Sequence, residues 1–539
     1  MKRFLWLCVI VVLFLICTGC GDTFRPVIIP NPPKFPDPRA SHSVVVISDN
    51  NTQPAPNPTQ SDRGSVMSID VSGDTVVGIA DVGLHPVHAV QQTANQVLVV
   101  NQSVPDAIGD SLTRVLFSNN SISNTTTITL PPNSAPNFVA STESTVVYVS
   151  LPGFTPPSLA VVNTSSSTVA TLPVGDNPAA VAETPDGKKV YVANQGSNSI
   201  SAFNTIDRSL RPIDTTLFPN PFSQPHWVVV RSDNQRVYVL NTDGSLVTID
   251  PTSNGGITDK VIANTPNVGV DSPYMLYDGH LNRLYVPSGN QLIVLDATPS
   301  TPQILKTVPL PDFTLLGLDP VPATAVAVAA LPDGTRAYVA SVPSSKTKLL
   351  PSQASISSVA GNGTTATYTY TLVSGHDLTP GVVVTISGTG AGFDGTFQVA
   401  GVSTTGCDPG SVCFQVANSV KAAKTAVAGT AVGNNMFPQV TVVNTSGNTV
   451  KTTAAIPGFS TAAPFSPPIC SITRFPFTMA AGGDSSRVYL ASCDGGNVNE
   501  IDTSTDLYLL NLPAPASSRK PNVGNQPPPQ NPVFMIAGP

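Results

Sequence analysis

From Ser41 onward the chain is written in short apolar runs of five or six residues, each closed by Gly, Pro, Asn or Asp. Asp176 to Thr205 shows the unit: an apolar stretch opened by Asn-Pro, a Pro-Asp-Gly turn, the alternating VYVAN, a polar turn, and SISAFN. Period-2 alternation broken by turn residues predicts short antiparallel strands. The VYVAN element recurs as VVVIS at Val44, VLVVN at Val97, VYVS at Val147, VYVLN at Val237, LYVPS at Leu284, AYVAS at Ala337 and VYLAS at Val488. Tyr148, Tyr191, Tyr238, Tyr285, Tyr338 and Tyr489 hold its second position. A proline stands eleven or twelve residues upstream of most copies (Pro86, Pro136, Pro178, Pro225, Pro273, Pro476), with Ala325 in its place in the seventh. Downstream, a third strand ends on Asp70, Asn163, Asn204, Asp250, Asp296, Asn444 or Asp502, and a fourth follows. Four antiparallel strands repeating every 45 to 55 residues or so describe the blades of a β-propeller.

The pattern resembles the YVTN-type β-propeller repeat family, the YncE-like exported proteins. PDGKKVYVANQG, within Pro178–Gly196, and PDGTRAYVAS, within Pro332–Ser341, carry the likeness. It covers most of Ser41 to Pro539 except one insert, and it implies a propeller while leaving function open, because the repeat serves surface-layer, binding and scaffold proteins. The family is better known with seven blades. Counting the Tyr-type strand in this chain gives eight, with seven the alternative. The first unit lacks its opening strand, and Asn531–Ile536 at the far end supplies a candidate, so three N-terminal strands and one C-terminal strand would close the ring and remove both free sheet edges.

Between the seventh and eighth Tyr strands the spacing breaks. ATYTYTLV, VVVTISGT, GTFQVAGVST and SVCFQVAN read as four or five strands of a small all-β module, residues 349–433, inserted in blade seven. The propeller is then 41–348 plus 434–539. The insertion point, between second and third strands, places the module on the face of the inter-blade crossovers, beside the channel mouth.

The first forty residues follow other rules. Lys2 and Arg3 precede the apolar run Phe4–Ile16, which is too short to span a bilayer and has the length of a signal-peptide core. Cys17-Thr18-Gly19-Cys20 resembles the lipobox of bacterial lipoproteins, with Cys17 where Leu is usual; the resemblance implies acylation of Cys20 after removal of residues 1–19. Residues 20–40 carry six prolines and read as an extended tether. The expected location is the bacterial cell envelope, lipid-anchored at the outer membrane or cell surface.

Cysteine usage agrees with export. Setting aside Cys8, Cys17 and Cys20, four remain, and an even number in an oxidising compartment points to two disulfides. Of three connectivities the sequence-local one, Cys407–Cys413 and Cys470–Cys493, is preferred. Neither pair has the tight spacing of a zinc ribbon, so no metal is expected.

Charged residues make up only 11% of the chain, with a net charge of −7, which argues against a nucleic-acid partner. Trp6 and Trp227 are the only tryptophans, too few for repeats built on one Trp per blade. The recurring Asp/Asn at third-strand ends looks like an acid set, yet Asp and Asn alternate there ahead of turns, so they are read as satisfying turn amides, as are Asp186, Asp333 and Asp484. His85, His226, Trp227 and Arg474 fall at the starts of channel-lining strands and form the candidate ligand-facing rim. No nucleophile elbow, P-loop or dinucleotide fingerprint is present, and no cofactor is expected. The favoured reading is a monomeric, non-catalytic binding or scaffold propeller, attached to the membrane by lipid, whose partner is an envelope protein or small ligand. The alternative is an exported hydrolase or lactonase with its site at the channel mouth; fold alone does not decide between them.

Overall fold

The computed structural model describes residues 43–50, 63–102, 109–118, 120–142, 144–390, 392–404, 407, 410–461, 470, 473–517 and 529–538. The expected signal segment, Cys20, the expected tether, and Pro464, Pro467 and Pro468 lie outside the described residues. The chain forms an eight-bladed propeller, seven blades built on four antiparallel strands in sequence order. The inner strands of blades 2 to 8 begin at Pro86, Phe138, Pro178, Pro225, Leu276, Ala323 and Phe477. Blade 1 takes its inner strand from the C-terminus: Asn531–Ala537 runs antiparallel to Ser43–Asp49, with Val46 opposite Met535 and Asp49 opposite Asn531. Blade 5 has an extra two-residue strand, Ile213–Asp214, parallel to its outer edge.

Each second strand lies between neighbouring blades on both faces, so both parities of its side chains are buried, and a wholly apolar run is favoured over alternation. Val237–Asn241 is buried at every position, whereas the outer strand Leu507–Pro513 alternates exposed and half-buried. Three tyrosines of this strand bolt neighbouring blades together, while the hydroxyls of Tyr285 and Tyr489 are buried without a partner. The Tyr191 hydroxyl donates to Asp259 of blade 5 (2.7 Å) and that of Tyr238 to the Ala297 carbonyl of blade 6 (3.2 Å). Two residues before five of these tyrosines stands a cation that also reaches the next blade. Lys189 Nζ meets Asp259 (2.8 Å), Arg236 Nε donates to the Ser300 carbonyl (2.9 Å), and Arg283 to that of Thr445 (2.7 Å). Arg336 and Tyr338 share Asp506, and Arg487 crosses the ring closure to Asp74 (2.9 Å). The Lys/Arg-x-Tyr signal was present in the sequence, and only its tyrosine was read.

The third-strand acids are turn formers. Asp70, Asp250, Asp296 and Asp502 accept the backbone N–H two residues on, as Asn163 and Asn204 do. Asp186, Asp333 and Asp484 do the same in the first turn of their blades.

The insert is a closed barrel of six strands, Leu350–Asn362, Thr365–Gly375, Val383–Ser387, Gly395–Ser403, Val412–Ala417 and Lys421–Asn435, where the sequence suggested four or five. The first and last are the longest and pair with each other; being rich in Ala, Ser and Gly, they carry no aromatic and few of the β-branched residues that mark strands. The barrel sits on inter-blade crossovers. Leu316, between blades 6 and 7, bridges to Gly375, and the Gly458 N–H, after blade 7, donates to Thr379 Oγ1 (2.7 Å). Cys407–Cys413 closes a loop within the barrel, with Cα atoms 5.8 Å apart. Cys470–Cys493 ties the crossover before blade 8 to the end of that blade's second strand, with Cα atoms 5.6 Å apart. Both bridges have the sequence-local pairing.

Candidate ligand site in the central channel

β-Bulges place two of the rings of the site. In blades 2, 4, 5 and 7 the register of the inner strand slips between Pro86 and His88, Pro178 and Ala180, Pro225 and Trp227, and Ala325 and Ala327. The skipped residue stands outside the ladder and the strand turns locally, re-aiming the side chain that follows. In blades 2 and 5 that side chain is aromatic, His88 and Trp227, and in blades 4 and 7 it is alanine; Phe138, Tyr274, Phe475 and Phe534 come from beside Pro136, Pro273, Pro476 and Pro532.

These six rings converge across the axis. His88 stacks on Phe138 (3.7 Å between centroids) and leans on Phe534 (4.3 Å). Trp227 meets Phe138 edge-on (5.3 Å), Tyr274 at 5.5 Å and Phe475 at 5.9 Å, and Phe475 meets Phe534 at 5.2 Å. Beyond the rings, toward the strand ends, lies a cavity of about 460 Å³. Its walls are apolar, supplied by Val90, Val181, Val228, Val328, Met479 and Met535 among others, and Ser141 and Glu183 reach it near the strand ends. That volume falls within the roughly 300–1,000 Å³ of small-molecule sites, and the lining has their usual character. The rings form its floor.

Arg474 lies on the other side of this floor. Its guanidinium stands 5.2 Å from the Phe475 centroid, 5.3 Å from Trp227 and 5.8 Å from Phe138, within range for attraction to ring faces. Its nitrogens donate to the carbonyls of Ala179 and His226, the latter at 2.6 Å. Those are the two residues that the bulges of blades 4 and 5 leave outside the ladder. Arg474 thus leads into blade 8 and fastens to blades on the opposite side of the ring. No carboxylate pairs with it among the described residues, and burial lowers its pKa to about 10.

Both imidazoles nearby are neutral. His226 donates from Nε2 to the Ser272 carbonyl (3.0 Å), and burial, then Arg474, lower its pKa to about 4. His88 is held well below its ordinary value by burial, then by Arg474, and its Nδ1 accepts the Val139 N–H (3.4 Å). His226 Nδ1, Trp227 Nε1 and Ser141 Oγ are buried without a partner. Glu183 is raised to about 7 by burial; its carboxylate accepts the Thr142 N–H (2.8 Å) of blade 3.

Of the four rim residues expected from sequence, the structure brings together His226, Trp227 and Arg474. His85 is elsewhere, with Nδ1 2.9 Å from the Asp49 carboxylate of blade 1. His88 takes the position on the axis, because the bulge after Pro86 hands it to the third residue of the strand. Phe138, Tyr274, Phe475 and Phe534 were missed, although an aromatic beside most inner-strand prolines, Pro178 excepted, was visible in the repeat. Among the described residues no group of three or more His, Cys, Asp or Glu could hold a metal ion.

No protein-family model matches the sequence, and no curated protein does. Solved structures resemble it in part. Apo AztD from Citrobacter koseri is 9% identical with a TM-score of 0.46, over 92% of this chain and 98% of that one. Hydrazine synthase of Kuenenia stuttgartiensis is 15% identical with a TM-score of 0.42, over 78% and 96%. A functionally unknown protein from Desulfotomaculum acetoxidans is 13% identical, also with a TM-score of 0.42, over 56% and 89%. Likeness at this level says nothing about function.

Proposed function

We propose that this chain is a YVTN-type, YncE-like propeller held at the bacterial cell envelope by lipid on Cys20, and that it acts without catalysis by holding a small ligand in its channel. The observation that carries this reading is the apolar cavity on the ring axis, floored by six aromatic rings and furnished with few polar atoms. Two disulfides fit an oxidising compartment. The hydrolase reading asks for an acid–base pair. The channel offers two imidazoles held neutral beside a cation, and among the described residues neither pairs with a carboxylate.

The full chain, extracted from envelopes in mild detergent, should release a defined small molecule on denaturation, detected by mass spectrometry, and the channel-filling variant Val181→Phe should not. The same molecules from both proteins, or none from either, would remove the basis for a channel ligand. Cys20→Ser should shift the protein from the membrane pellet to the soluble fraction, because the acyl chains supply most of the attachment; unchanged pelleting would count against the anchor.

A further inference from the structure

Among the described residues the channel is irregular in two respects: a cation without an acid, and a buried indole donor without an acceptor. A guanidinium removed from water ordinarily pairs with a carboxylate, and an unpaired buried charge is costly. Arg474 has instead two carbonyls and three ring faces. The stretch 462–472, which precedes it in sequence, contains no Asp or Glu. Trp227, nine-tenths buried in the cavity floor, has an indole N–H with no acceptor. His88, also in the floor, is neutral, and because Nδ1 accepts from Val139 its proton is on Nε2, a second donor. Departures from local rules of this kind are expected where a site has been built for something else.

From this juxtaposition we infer that the cavity takes an amphipathic monocarboxylic acid, its apolar body along the valine and methionine walls and its carboxylate at the ring floor. His88 Nε2 donates to the carboxylate, the Trp227 ring packs beside it, and the charge of Arg474, behind the rings, supplies the counter-ion. Arg474 acts on the ligand as it acts on the two imidazoles, through its field, and need not touch it. The Glu183 carboxyl toward the far end opposes a second negative charge, so a diacid fits worse than a monoacid. The inference rests on the channel being a ligand site and specifies what that site prefers.

The test uses the lipid-anchored protein extracted in mild detergent, in which removal of residues 1–19 leaves Trp227 as the sole tryptophan, so that its emission reports on the floor. Octanoate, octan-2-one, octylamine and the diacid suberate are titrated at pH 7.5. Octanoate should bind at least about tenfold more tightly than the ketone, the scale of a charge-assisted hydrogen bond over a neutral one. Suberate should bind more weakly than octanoate, and octylamine should leave the emission unchanged. Arg474→Met should bring acid and ketone within about threefold of each other while ketone binding persists; Arg474→Lys, which keeps the charge, should preserve the preference for acid. Equal affinity for ketone and acid, binding of the amine, or no response to any of the four overturns the inference. Release of a small molecule in the extraction experiment decides separately whether the channel holds a ligand, so the two readings fail independently.

Discussion

Replacing Asp259 by Asn should unfasten blade 4 from blade 5. The Asp259 carboxylate is fully buried and accepts from Lys189 Nζ at 2.8 Å and from the Tyr191 hydroxyl at 2.7 Å, with Arg211 Nε 3.7 Å away. At 2.8 Å and an effective dielectric of about 20, the Lys189 pair alone has a Coulomb energy of about 6 kcal/mol, part of which the desolvation of both ions cancels. Asparagine keeps the shape and removes the charge. Its amide nitrogen is a donor set among donors, and the two cations lose their counter-ion. Breaking a buried pair from one side in this way costs about 3–5 kcal/mol. Urea unfolding followed through Trp227 should therefore show a lower midpoint at unchanged slope. Lys189→Met combined with Asp259→Asn should cost less than the sum of the single variants, with a coupling of about 2 kcal/mol, within the range for residues in contact. A loss below about 1 kcal/mol, or a coupling under about 0.5 kcal/mol, would show that the blades are held by apolar packing alone.

Cys470→Ser should lower stability by about 3 kcal/mol under oxidising conditions and leave it unchanged in reductant, since bridging a loop of this size acts mainly on the unfolded chain; equal loss in both would point to packing around Cys493. Replacing residues 350–435 by a short Gly/Ser bridge should leave a folded propeller, because Leu350 and Asn435 are paired neighbours, with a lower midpoint from exposing Phe313 and Phe437, at about 1.5–3 kcal/mol for each large side chain. Loss of cooperative unfolding would show that the barrel is part of the propeller core. The pKa of His226, about 4 in the folded protein against 6.5 free, means that the unfolded chain binds the proton first as pH falls. Stability from this group is therefore full above about pH 6.5, declines by up to about 3 kcal/mol toward pH 4 and is flat below. His226→Asn should make the slope shallower, with His88, shifted the same way, accounting for what remains; an unchanged slope would show that His226 titrates normally.

The blades were legible because their second strand is buried on both faces, which forces an apolar run with Tyr at one position, and because turns need Gly, Pro, Asn or Asp at fixed offsets. The barrel's strand number was not, since Leu350–Asn362 and Lys421–Asn435 hold their places through pairing with each other and carry few of the side chains that announce a strand. The site was half legible. Proline marked where each inner strand starts, which located Arg474, His226 and Trp227. A bulge leaves no signature in composition, so His85 was chosen where the slip in register selects His88. The unpaired charge of Arg474 was likewise invisible, because it depends on which blades face it across the ring.

The closing strand sets a schedule. Asn531–Ala537 is the last strand of the chain, yet it is the inner strand of blade 1, and two of its residues, Phe534 and Met535, line the cavity. Seven blades can pair their strands as they emerge, six from contacts close in sequence and blade 7 across the barrel inserted between its second and third strands. The ring, its floor and its cavity wait for one contact between opposite ends of the chain, the slowest kind to form because the longest loop must close first. A chain that stopped before Asn531 would keep nearly all of its sheet and lose the channel, so the cavity is a late and all-or-none product of synthesis.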